Sequence, residues 1–166
     1  MAATLVAAEP MSTETREARH EDPVWRDRSD FVIAAEIASE GADREQLWAK
    51  QLSEDTFEIC CIPFFVYDVA LGDVVQTAPA GGRRYIVQNV IRPSGRFVFR
   101  VWFGDSFQPR REIADELEAL GALLEWSSPN LLAVDAADEE LAKVVSGWLL
   151  EREQQGHLVY ETGKTA

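Results

Sequence analysis

The feature that most restricts the fold is a series of period changes between residues 96 and 161. RFVFRVWF at 96–103 alternates strictly, with Phe97, Phe99, Val101 and Phe103 on one side and Val98, Arg100 and Trp102 on the other. A period of two is the mark of a strand with one face committed to a core. After the loop GDSFQP the period becomes helical over about 109–120, with Ile113, Leu117 and Leu120 at i, i+4, i+7. Pro109 suits the first helical position and Gly121 the stop. ALLEW and LLAVDA read as two strands joined by the turn SSPN. A second helix starts near Asp135 or Asp138, where Asp138, Glu139 and Glu140 complement the positive end of its dipole. Its apolar stripe is Leu141, Val144, Val145, Trp148 and Leu149. Gly156 ends it, and HLVYE is the last strand. The order strand, helix, strand, strand, helix, strand predicts a ferredoxin-like βαββαβ unit over 95–162.

The preceding stretch, 30–94, shows short strands at roughly ten-residue spacing with turn signals between them. FVIAAEI is the first; QLWAKQL is ambiguous, and as a strand it places Leu47, Ala49 and Gln51 on one face and Trp48, Lys50 and Leu52 on the other. TFEICCIPFFVYDVA is extended but broken at Pro63, which removes a ladder donor and so marks an edge or a bend. LGD, APAGG and PSG are turns around VVQTA and RRYIVQNVIR. This pattern predicts a small curled sheet or barrel. The expected fold class is therefore α+β, a barrel-like N-terminal part followed by the ferredoxin-like unit. Residues 1–29 hold small residues and charges without a sustained period and are expected as a disordered tail, with a local docking of Trp25.

Charge narrows the function classes. The net charge is −13, which repels phosphate backbones and anionic membrane surfaces, so neither nucleic acid nor membrane is an expected partner. Glu112 to Glu161 carries twelve acids against two bases, whereas Arg83 to Arg111 carries seven arginines against one acid, Asp105. Two readings follow: internal pairing of the two segments, or a local site for a carboxylate or phosphate, which arginine holds bidentately. Cys60 and Cys61 are neighbours and point apart in an extended chain, so a disulfide between them is strained. With no other cysteine, a reducing, cytoplasmic compartment is expected. The opening residues MAATLVAAEP lack a basic start and a long apolar run, so no secretory signal is expected.

LWA at 47–49, IPFF with the following GDVV at 62–75, and GRFVFRV at 95–101 together resemble an uncharacterised bacterial family, domain-of-unknown-function 4265. The resemblance spans about residues 44–162. Relatives usually carry a polar His-Ser-Thr-like stretch between that Gly and that Arg. Here Arg96, Phe97, Val98 and Phe99 stand there, so any chemistry carried by those polar residues is not implied for this chain.

The candidate site centres on Arg100, which alternates with Val98 and Trp102 on the face opposite the phenylalanines. A charge there is solvated, paired with Glu125 or Glu161, or anchors an anionic ligand on an open sheet face. Trp102, His157 and Glu125 can share that face in a polar-aromatic pocket. Asp73, after Gly72, reads as a turn cap or as a recognition carboxylate. Cys60 and Cys61 lack a base within the local sequence and read as buried thiols. Two adjacent cysteines with His20 and His157 far apart do not have zinc spacing, so neither metal nor cofactor is expected. Gly81-Gly82 before Arg83-Arg84 precedes no helix and reads as a hairpin turn rather than a phosphate loop.

No catalytic constellation emerges. The leading expectation is a non-catalytic binding or regulatory module for a protein or a small anionic ligand, as a monomer or homodimer. The alternatives are an accessory biosynthetic enzyme with a pocket around Arg100, and an acidic inhibitor or immunity-type partner of a basic protein. The enzyme reading requires Arg100 to share a pocket with at least two of Glu125, His157 and Asp73.

Overall fold

A computed structural model describes residues 15–39, 41–104 and 109–164. Ten strands and two helices are present among them, arranged in two sheets, so the chain is α+β.

The first sheet contains β1 (Glu17–Ala18), β2 (Phe31–Glu36), β3 (Arg44–Gln51), β4 (Thr56–Ile59), β5 (Val74–Pro79) and β6 (Tyr85–Arg92). Its order is β1-β3-β2-β6-β5-β4, and β3 also pairs with β4, so β3, β2, β6, β5 and β4 close into a ring. The long β3 makes closure possible by dividing one edge. Its start pairs with β1 at Glu17–Arg44, and its end pairs with β4 at Ala49–Ile59. Alternation puts Ile33, Ala35, Leu47, Ala49, Phe57, Ile59 and Val75 inside the ring. Phe31, Phe57 and Tyr85 close one end with centroids 5.2–5.5 Å apart.

The second sheet contains β7 (Phe97–Trp102), β8 (Leu123–Ser128), β9 (Leu131–Ala136) and β10 (Val159–Lys164), in the order β10-β7-β9-β8 with every pair antiparallel. Helix α1 (Arg110–Leu120) separates β7 from β8, and α2 (Glu139–Gln154) separates β9 from β10. Both helices cover the face bearing Phe99, Val101 and Phe103, as the alternation predicts. Gly121 ends α1 in the left-handed conformation at φ 105°, and the Asp138 side chain caps α2 by accepting from the Leu141 amide. The buried stripe of α2 is Ala142, Val145 and Leu149, whereas Val144 is exposed. β10 runs through Gly163 to Lys164, two residues past the expected boundary, because a bulge between Thr162 and Lys164 keeps it paired with β7.

One expectation is corrected. Residues 15–29, expected within a disordered tail, are built into the fold. β1 pairs with β3, a 3-10 turn forms at Arg26–Arg28, and His20 is only 4% exposed. Polar pairing anchors this segment, so an apolar period could not announce it. Residues 1–14 of the expected tail lie outside the described residues. The face of the second sheet opposite the helices, which the sequence leaves as either open or covered by the preceding part, is covered. Val98 and Ala133 on that face pack against Ile62, Phe64, Ala70 and Leu71 of the connector 60–73, with Val24 and Trp25 alongside. The connector therefore lies between the two sheets.

Candidate functional site

The connector dictates the polar chemistry around it. Residues 60–64 are buried but form no strand, so their amides need acceptors other than a ladder. Cys60 still donates to the Trp48 carbonyl, and carboxylates serve Ile62, Phe64 and amides nearby. Glu45 on β3 accepts from Phe64, Phe65 and Val66 at 2.6–2.9 Å. Glu125 on β8 accepts from Ile62 and, at 3.4 Å, from Val24. Asp73 accepts from Ala70 at 2.9 Å and Ser94 at 2.8 Å, and pairs with Lys164.

His20 stands where two of these carboxylates meet. Its Nε2 is 2.8 Å from Glu45 Oε1 and its Nδ1 is 2.7 Å from Glu125 Oε1. Its ring lies flat on Phe64, with centroids 3.9 Å apart and planes 9° apart. The Cys61 thiol lies against it. Burial disfavours the imidazolium, but the neighbouring Cys61 and the hydrogen bonds to Glu125 and Glu45 more than reverse this, leaving the His20 pKa well above 6.5. Burial raises Glu45, yet the bonds and charge of His20 and the connector amides outweigh it and lower its pKa. Burial, with Glu125 and Glu45, raises Cys61. Cys60 is pushed up to about 11 by burial and Glu58. The cluster is a histidine ring between two glutamates, beside the Cys61 thiol. Both ring nitrogens are committed to carboxylates, and among the described residues no group of His, Cys, Asp and Glu has an arrangement that could hold a metal ion.

The residues singled out from the sequence fall in four places. Arg100 is 4% exposed; it donates to the Val66 carbonyl, pairs with Glu161 at 3.5 Å and lies 4.6 Å from the Tyr67 ring centroid. A Cβ at Gly163 would come within 3.1 Å of the Arg100 guanidinium, so the bulge glycine is what admits it. Trp102 is 47% exposed on the same face, opposite Val159. His157 sits at the joint between α2 and β10, with its Nδ1 buried and unbonded. Glu125 belongs to the His20 cluster and Asp73 to the Lys164 pair. Arg100 and Glu125 lie in one row across the sheet, separated by Ala133 on β9. The described contacts of Arg100 thus include none of Glu125, His157 and Asp73.

His20, Glu45 and Cys61 were not expected to act together. One signal did exist. Glu45 shares the inward face of β3 with Leu47 and Ala49, and a lone acid on an apolar strand face demands a partner.

Two surface features remain. A cleft of about 700 Å³ opens between α2 and the β7–β10 pair, floored by Phe97 and Phe99; at its rim Lys143 already pairs with Glu139 at 3.1 Å. On the outer face of the ring, Arg44, Arg83 and Arg84 line a smaller pocket of about 100 Å³ with Glu17, Gln46 and Tyr85. Glu17 is bonded to Gln46 at 2.6 Å. Of the seven arginines from 83 to 111, Arg96 and Arg100 pair with acids of the following segment, Asp135 and Glu161. The internal-pairing reading holds for those two.

No curated protein matches this chain. A crystal structure of a hypothetical protein from Neisseria gonorrhoeae is similar over 81% of this chain and 94% of its own, with a TM-score of 0.70 at 18% identity, a likeness of fold alone. The model of the domain-of-unknown-function family DUF4265 matches residues 45–160, a span that holds Glu45, the connector and Glu125 but not His20. That span is well over half of the chain, and the protein belongs to the DUF4265 family.

Proposed function

We propose that this chain is a non-catalytic binding module of the bacterial cytoplasm that takes a small anionic ligand at the pocket formed by Arg44, Arg83 and Arg84. The observation that carries this reading is how the charges are used. Glu45, Glu125, Asp73 and Arg100, the groups a catalyst would need, are buried and bonded to the chain itself. Arg83 and Arg84 are exposed and line a pocket with Arg44. Guanidinium groups gathered on an otherwise acidic surface favour an anion, and the pocket's volume suits a single phosphate or carboxylate group. Free, buried cysteines are in keeping with a reducing compartment.

The architecture is read in the same spirit. The order β10-β7-β9-β8 with two helices on one face supports a ferredoxin-like unit, and the closed ring supports a small barrel. The folds are compatible with many activities, so the assignment rests on the pocket.

Backbone amide NMR shifts during titration with inorganic phosphate at low ionic strength test the proposal. Saturable shifts at residues 44 and 83–85, lost in Arg83→Ala/Arg84→Ala, are expected. Shifts spread over the whole surface, or unchanged in the double variant, would overturn it.

A further inference from the structure

Two carboxylates converging on a planar cation, with an aromatic ring flat beneath it, form the environment in which proteins hold guanidinium and imidazolium groups. In this chain the cation belongs to the protein itself. Its surroundings nevertheless have the properties of a binding site. Glu45 comes from the first sheet and Glu125 from the second, while Phe64 comes from the connector between them. Two carboxyl groups face the single ring of His20, so the pocket favours a cation. All of these walls lie within residues 45–160, the span the family model matches, and the group filling the pocket lies outside it.

The segment that delivers His20 has little strand pairing of its own. β1 pairs with β3 over two residues only. Beyond it, the Trp25 amide donates to Cys60 and the Asp30 amide to Ala49. Further anchors include His20, the Trp48 indole donating to the His20 carbonyl at 3.1 Å, the Val24 amide on Glu125, the Arg16 carbonyl accepting from the Asp43 and Arg44 amides, Glu17 on Gln46, Arg28 on Glu58, and the Trp25 ring. That ring closes on Gly72, where a Cβ would meet it at 3.3 Å, and on Arg28, at 4.5 Å from its centroid. A segment docked by two side-chain plugs and a series of shallower polar contacts resembles a bound peptide more than a layer of core.

We propose that residues 15–30 are a strap occupying, in cis, a binding site for a small planar organic cation, with Glu45 and Glu125 as its carboxylate walls and Phe64 as its floor. An imidazolium or a guanidinium group is the chemistry it accepts. The strap has to lift for such a ligand to enter, and lifting it uncovers Cys61 and Trp48 together with the carboxylates. The arginine pocket is a different site, although Glu17 of the strap lines one side of it.

Two measurements on the full chain decide it. In the first, His20→Ala opens the pocket, and free imidazole is added below neutral pH, where it is protonated, alongside pyrazole, an uncharged ring of the same shape. Imidazolium is expected to raise the Tm of the variant saturably, by several degrees, while pyrazole does not and the wild type does not respond. If the variant is unfolded alone, recovery of the fold by imidazolium and not by pyrazole is the same result. Equal effects of the two rings, or none, would overturn the proposal. In the second, native-state hydrogen exchange of the wild type is followed at the Val24, Trp25 and Asp30 amides. The strap is expected to exchange at least about a hundredfold faster than β7 and β9, by local opening. Exchange of the strap only with global unfolding would make His20 a fixed part of the core and end the idea.

Discussion

At the residue scale, the buried charges explain themselves once the connector is considered. Residues 60–73 cross between two sheets without a ladder, so acids had to be placed where amides would otherwise be orphaned. Glu45 and Glu125 fill this need, and His20 offsets the charge they bring. Truncating His20 to Ala leaves two buried carboxylates without a cation and is expected to cost about 3–5 kcal/mol in urea unfolding. A second residue-level prediction concerns Gly163. The guanidinium of Arg100 is held by Val66, Tyr67 and Glu161, so it cannot retreat freely from a new Cβ. Gly163→Ala is expected to cost about 1–3 kcal/mol. In an Arg100→Met background the same change should cost measurably less, because the two positions are in contact. Additive costs would show that the close approach is not the cause. Of these residues, Arg100, Glu125 and Asp73 drew attention in the sequence because each interrupts an apolar pattern or follows a turn glycine. His20 did not. Its partners are 25 and 105 residues away, and ion pairing across such distances leaves no period to read.

At the element scale, what the sequence made legible follows the strength of each apolar period. The alternation of Phe97, Phe99, Val101 and Phe103 named both the strand and the face that meets the helices. The stops at Gly121 and the cap at Asp138 were legible because backbone geometry demands those residue types. The stripe of α2 was legible only in part. Val144 matched the period but is 52% exposed, and Ala142, small enough to bring the helix close to the sheet, lies inside. Val145→Ala should therefore cost about 1–2.5 kcal/mol and Val144→Ala less than about 0.5 kcal/mol. Equal losses in denaturant titrations would mean that the helix is rotated relative to this account. The covering of the other sheet face was legible only as an alternative to an open face. Pro63 signalled a bend, but nothing local in IPFF states which surface a bent segment will meet.

At the scale of the whole molecule, charge is segregated by depth as well as by position. Acids of α1 and α2 are largely solvated, Arg96 and Arg100 are turned inward to Asp135 and Glu161, and Arg83 and Arg84 remain at the surface. The buried cluster then couples folding to pH on both sides. Glu45 has a folded pKa below its ordinary 4.5, so its contribution is present above that value and is lost as pH falls through the folded pKa. His20 has a folded pKa well above 6.5, so its contribution is complete below 6.5 and is lost as pH rises through the folded pKa. The thiols of Cys60 and Cys61 act in the same direction as His20, because burial favours their neutral forms and unfolding releases them to ionise. Stability from urea unfolding should form a plateau between the ordinary carboxylate and imidazole ranges, falling on the acid side and again on the alkaline side. His20→Gln removes one titrating group while keeping a hydrogen-bonding side chain. It should lower the plateau and flatten the onset of the alkaline limb, leaving the later fall that the thiols cause. An alkaline limb unchanged in that variant would assign the whole of it to Cys60 and Cys61, and would mean that His20 is held neutral between its carboxylates.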